Sequence, residues 1–170
     1  IYPAEKEELL MRVLGEYSDP QESSRIAANI AAEEAVSLSG AQQFFAYFNR
    51  GSSLVNLQDY AGAASTFDQA FTLMAALPAQ DRPWRIMWYQ TGPYFAYYYT
   101  GRYQDIIDLA TTTIDTVDEP FIEESFVWRA RARIAAGDSQ GASGDVRKAL
   151  EYHPGFAPAV ELAQYLGIQP

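Results

Sequence analysis

Helix-breaking positions recur along this chain at short, nearly even distances: Gln58 to Asp59, Pro78 to Pro83, Thr100 to Gly101, Asp118 to Pro120, Gly137 to Asp138 and His153 to Gly155. Between them the apolar residues keep the 3.6-residue period of a helix, and no pair of alternating apolar runs is joined by Asn-Gly or Asp-Gly. Such segments bury their apolar stripes only against one another, and the short turns between them imply antiparallel neighbours. The expected fold is therefore all-α, a series of helical hairpins.

The boundaries follow from the breaks. Residues 1–40 hold an N-terminal helix pair. Leu9, Leu10 and Val13 form the stripe of its first helix, and Asp19 with Pro20 is a cap and first-turn proline that starts the second, with Gly40 as its stop. Three hairpins follow at 41–77, 81–116 and 120–152, and a capping helix at 156–166 admits Pro158 in its first turn. All of this reads as a single domain, the length prior for 170 residues. Residues 1–40 carry eight carboxylates against Lys6, Arg12 and Arg25, a polar outer face of the kind an array end needs. The chain opens on Ile with neither a basic start nor an apolar signal core, which reads as a mature form or an excised domain.

Composition removes several function classes. Twelve Lys and Arg against 22 Asp and Glu give a net charge of -10, which argues against gripping a nucleic-acid backbone. With no Cys and one His, the chain has no thiol nucleophile, no thiolate metal site and no His-based metal cluster. No run is long and apolar enough to insert in a membrane. Neither catalytic residues nor a cofactor are expected. Glu33 and Glu34 are adjacent, as are Glu123 and Glu124, so neither pair points at one spot as acid and base. His153, before Pro154 at a helix end, is expected to satisfy terminal carbonyls. Arg129, Arg131 and Arg133 spread around their helix, close to Glu123, Glu124 and Asp138.

Two hairpins share a register of large and small residues. In AYFNRGSSLVNLQDYAGAASTFDQAF it comprises Tyr47, Gly51, Leu54, Tyr60, Ala63, Phe67 and Ala70; in FVWRARARIAAGDSQGASGDVRKALEYHP it comprises Phe126, Ala130, Ala142, Val146, Ala149 and Pro154, with a Gly137-Asp138 turn. The pattern resembles tetratricopeptide repeats, whose period is about 34 residues. The middle hairpin departs from it, with Tyr94 and Ile106 at small positions and 43 residues from Tyr60 to Tyr103. The resemblance implies a right-handed α-α superhelix with a concave groove and a role in binding proteins or peptides.

A narrower resemblance rests on DRPWRIMWYQTGPYFAYYYTGRYQDIIDLATTT with FFAYFNRGSSLVNLQDYAGAA before it and WRARARIAAGD and YHPGF after it. These are similar to the repeat region following a papain-like, bacteriocin-leader-type peptidase domain in filamentous green bacteria and their relatives. That resemblance implies an accessory domain of a larger protein, its catalytic Cys and His lying upstream of IYPAEKEE, and a place in the cell envelope or outside the cell.

Aromatic residues make up 14% of the chain, and nine fall between Trp84 and Tyr103. No single helix face holds nine. Tyr94 and Tyr97 are expected inside the hairpin. By the register of the resemblance, Trp88, Phe95, Tyr98 and Tyr99 line the groove, together with Phe45, Phe48, Ser52 and Asn56 from the first hairpin and Val127, Trp128, Arg131 and Ile134 from the third. The competing reading of these aromatics is packing within and between repeats. As a groove they offer rigid area to a protein or peptide segment, including one from the same parent protein. The carboxylate clamp of some chaperone-binding relatives maps onto Phe48, Ser52, Gly92, Val127 and Arg131, of which only the Arg matches, so an acidic C-terminal tail is not the expected ligand. Gly92 and Pro93 are expected to kink their helix. The alternatives are a carbohydrate or cell-wall binding module, whose aromatics stack on sugar rings, a helical enzyme domain, and a purely structural role.

Overall fold

The computed structural model describes residues 19–116 and 122–169. Every regular element among them is helical. Eight α-helices run in chain order: α1 (Pro20–Ser37), α2 (Gly40–Asn56), α3 (Tyr60–Ala76), α4 (Gly92–Tyr99), α5 (Tyr103–Asp115), α6 (Glu123–Ala135), α7 (Ser139–Tyr152) and α8 (Ala157–Leu166). Two 3-10 segments, Ala79–Asp81 and Trp84–Trp88, lie between α3 and α4. No described helix is long and apolar enough to cross a membrane. The stripe of Leu9, Leu10 and Val13, and the break at Asp118 to Pro120, lie outside the described residues.

Local chemistry sets the helix ends. Asp19 caps α1 by accepting from the backbone N–H of Gln21, and Pro20 occupies the first turn, where its missing N–H leaves no gap. The helix stops at Ser37, before Gly40, which instead opens α2 with a left-handed φ of 59°. The turns after α2, α4 and α6 share one geometry. A left-handed residue, Gln58, Gly101 or Gly137, is followed by one whose N–H reaches five residues back: Asp59 to Leu54 O, Arg102 to Tyr97 O and Asp138 to Arg133 O, at 2.8–2.9 Å. This is the Schellman closure, which pairs carbonyls that a helix end leaves bare. Asp59 and Asp138 then cap the next helix through the N–H groups of Gly62 and Gly141. Arg102 stands at the corresponding place before α5, giving no side-chain cap and pairing with Asp105.

The described residues fall into two compact units, divided between Arg82 and Pro83. In the first, α2 packs against α1 and α3. Its core is aromatic, with Phe48 set edge-on to Phe67 at 5.1 Å and tilted against Phe44 at 5.6 Å. In the second, α4 to α8 pack in sequence. Ala130 of α6 lies against Ala142 and Val146 of α7 and Ala163 of α8, small residues that bring these helices close.

The middle hairpin differs from expectation in its first half. Instead of one helix kinked at Gly92 and Pro93, residues 84–88 form a 3-10 segment and α4 begins at Gly92. Pro93 thus sits in the first turn, where a proline costs no hydrogen bond, and there is no kink for it to cause.

Candidate functional site

In the second unit, α4 and α6 face one another through aromatic rings. Trp128 of α6 is buried, and around it stand Phe95 at 4.6 Å, Tyr98 at 5.9 Å and Tyr94 at 6.2 Å between ring centroids. The first two meet Trp128 edge to face and the third is stacked, arrangements that suit the ring quadrupole. Tyr94 is wholly enclosed; its Oη lies 3.0 Å from Ser125 Oγ and 3.5 Å from Thr113 Oγ1, and burial raises its phenol pKa. Tyr97 is buried as well, beneath the Arg102 guanidinium. These inner rings hold the helix pair together and fix the outer ones in place.

The outer side of this cluster is a cavity of about 350 Å³ lined by Tyr98, Tyr99, Trp128, Arg131, Ile134, Leu162 and Tyr165. Its rim is open. Tyr99 is 59% and Tyr165 73% exposed, whereas Trp128, at 3%, forms the floor. The Arg131 guanidinium lies over the Trp128 ring, 4.9 Å from its centroid, a cation-π contact. Of the expected groove residues the structure brings together Phe95, Tyr98, Tyr99, Trp128, Arg131 and Ile134. Leu162 and Tyr165 of α8 complete the cavity and are absent from the sequence reading. Their signal is weak: three apart on a capping helix, they read as ordinary stripe and surface.

The remaining candidates lie elsewhere. Trp88 is on the 3-10 segment, beside Tyr89 and under Arg85, and its Nε1 is buried without a hydrogen-bond partner. Val127 is packed into the core with Phe126, Ala149 and Ala159. On α2, Phe48 is 1% exposed and belongs to the core of the first unit, so it presents no surface. Phe45 and Asn56 are exposed, while Ser52 Oγ donates to Phe48 O at 3.1 Å, within its own helix. None of these four lines the first unit's own cavity, about 430 Å³ between α2 and α3, whose lining includes Gln43, Tyr47, Ser65 and Asp68.

Two charged groupings differ from expectation. Arg129 and Arg133, four apart and so on one face of α6, converge on Asp145 of α7, with Nη2 and Nη1 respectively 2.7 Å from its carboxylate. Arg129 Nη1 also donates to Thr111 Oγ1 at 3.0 Å, so the acid is buried but fully paired. Of the expected neighbours, Arg133 lies 3.8 Å from Asp138, and the Arg131 charge acts on Glu124. His153 Nδ1 lies 3.2 Å from Glu123 Oε1 and its ring stacks on Phe156, so the side chain pairs with an acid and not with helix-end carbonyls. Among the described residues no three His, Asp or Glu side chains gather to hold a metal ion.

Comparison of the chain with protein-family models, with curated proteins and with solved structures gives no match in any of the three.

Proposed function

We propose that this chain is a non-catalytic scaffold that binds a protein or peptide segment, built from tetratricopeptide-like repeats and serving as an accessory domain of a larger bacterial protein with an upstream peptidase-like domain. One observation carries the binding reading: the cavity of the second unit, with an enclosed Trp128 floor, an Arg131 cation fixed on it and two exposed tyrosines at the rim. Rigid aromatics that offer large area at little entropic cost, together with an arginine, are the side chains that dominate binding surfaces. The shared turn geometry after α2, α4 and α6 supports the repeat assignment, since one closure recurs in the middle of all three hairpins, including the one whose register of large and small residues departs.

Selection of displayed random peptides on the immobilised chain tests this. Enrichment of a peptide set by the parent chain, lost with Tyr99→Ala plus Tyr165→Ala at an unchanged melting temperature, is the expected result. Both tyrosines are exposed, so their removal spares the core. The same exposed rings suit stacking on sugars, the second reading. Retention on a glycan array with no peptide enrichment would replace the first reading by the second.

A further inference from the structure

We infer that the cavity of the second unit binds an internal, proline-rich segment in the polyproline II conformation, its pyrrolidine rings against Tyr99, Trp128 and Tyr165 and its carbonyls accepting from the donors around them. This rests on the reading of the cavity as a peptide site and names the class of peptide. Hydrogen-bond character is the first ground. The polar side chains lining the cavity are the Trp128 indole, the Arg131 guanidinium and the phenols of Tyr98, Tyr99 and Tyr165. Indole and guanidinium only donate, the phenols add three O–H groups, and no carboxylate, amide or imidazole lines the cavity to accept. An ordinary peptide brings one backbone N–H per residue, for which this lining has little to offer. Proline brings a carbonyl and no N–H. Charge agrees, since the one charged residue lining the cavity is a cation and the ligand presents the negative ends of its carbonyl dipoles.

The other ways of holding a peptide suit this unit less. Adding a strand needs an open sheet edge, and every regular element among the described residues is helical. An amphipathic helix anchors through residues spread over two turns, about 10 Å, and needs a long groove. This cavity, about 350 Å³, is at the small end of the roughly 300–1,000 Å³ range of ligand sites. Acidic and phosphorylated motifs call for a cluster of arginines, and here one arginine stands in a chain of net charge -10. A polyproline II segment needs none of these. It arrives already extended, loses little entropy on binding, and repeats every three residues at about 3.1 Å each. Its flat apolar rings match exposed aromatic rings, which here come from separate helices, Tyr99 from α4 and Tyr165 from α8, above the Trp128 floor from α6.

Titration of the full chain with acetyl-hexaproline-amide, with its all-D enantiomer and with acetyl-Gly-Ala-Gly-Ala-Gly-Ala-amide tests the assignment. The first is expected to bind about tenfold tighter than either of the others, because the second forms the mirror-image helix and the third is neither pre-extended nor free of N–H groups. Tyr99→Ala plus Tyr165→Ala, its fold checked by circular dichroism, should bring hexaproline down to the level of the Gly-Ala peptide. Equal binding of the two enantiomers would reduce the contact to unspecific apolar adhesion and overturn the inference. Hexaproline binding no tighter than the Gly-Ala peptide, or unaffected by the loss of both tyrosines, overturns it as well. The displayed-peptide selection decides the wider reading separately: enrichment of proline-free sequences leaves a peptide site and sinks this assignment, and no enrichment sinks both.

Discussion

A Cβ placed on Gly51 of α2 would stand 2.7 Å from Cε1 of Phe67 on α3. The Phe67 ring is fully enclosed and edge-on to Phe48, so it has nowhere to swing. Gly51→Ala therefore overpacks the contact, and the expected loss is about 1 kcal/mol after allowing for alanine's better helix propensity. Gly144 of α7 is the control, since nothing lies within 4 Å of its added Cβ. Gly144→Ala should gain about 1 kcal/mol. Urea denaturation of both variants checks the pair, and a Gly51→Ala chain as stable as the parent would contradict this packing.

The turn after α2 places Gln58 at φ 61°, where the corresponding turns carry Gly101 and Gly137. A side chain in that region strains the backbone by about 1 kcal/mol or more. Gln58→Gly should raise the melting temperature, and Gly137→Ala should lower it. Calorimetry that finds the reverse order would remove the common turn geometry.

These turns were legible in the sequence for the same reason. Glycine supplies the left-handed position at Gly101 and Gly137, and Asp59 and Asp138 announce the next helix. The start of α4 was legible only in hindsight. Gly92 and Pro93 signal a first turn as readily as a kink, and the choice depends on whether Trp84 to Trp88 is helical, which tertiary packing decides. The register of the repeat resemblance put Phe48 with Phe45 in a groove, yet the core wraps far enough around α2 to enclose Phe48 and leave Phe45 exposed. Arg129 and Arg133 share a face by spacing alone, but their meeting with Asp145 depends on how α7 lies against α6, which one-dimensional periodicity does not contain. Leu162 and Tyr165 escaped notice on the same ground.

Asp145 is buried between two arginines, so removing it leaves two cations without their partner. Asp145→Ala should cost about 3 kcal/mol. Replacing the group together, with Arg129→Met, Asp145→Leu and Arg133→Met, should restore much of that loss. Chemical denaturation of the single and the triple variant checks it, and an Asp145→Ala chain of parental stability would mean the network contributes nothing.

Burial raises the pKa of Glu124 above its ordinary value, with the Arg131 charge opposing. The folded state therefore holds this proton to higher pH than the unfolded chain does. Folding stability contributed by Glu124 must fall as pH rises from the ordinary carboxylate pKa through the raised one, and the penalty persists at neutral pH. Glu124→Gln should gain stability relative to the parent at pH 7 and show less difference at pH 4. A difference independent of pH would place the effect in packing instead.

Binding at the second unit's cavity has a direct reporter, because Trp128 forms its floor while Trp84 and Trp88 lie outside its lining. The indole N–H resonances of the three tryptophans, followed by NMR during titration with a peptide enriched by the displayed-peptide selection, distinguish the sites. A saturable shift of the Trp128 signal, with Trp84 and Trp88 unmoved and the response lost in the Tyr99→Ala plus Tyr165→Ala chain, is the predicted result. A Trp128 signal that stays fixed while Trp88 moves, or three signals that do not respond, would contradict it.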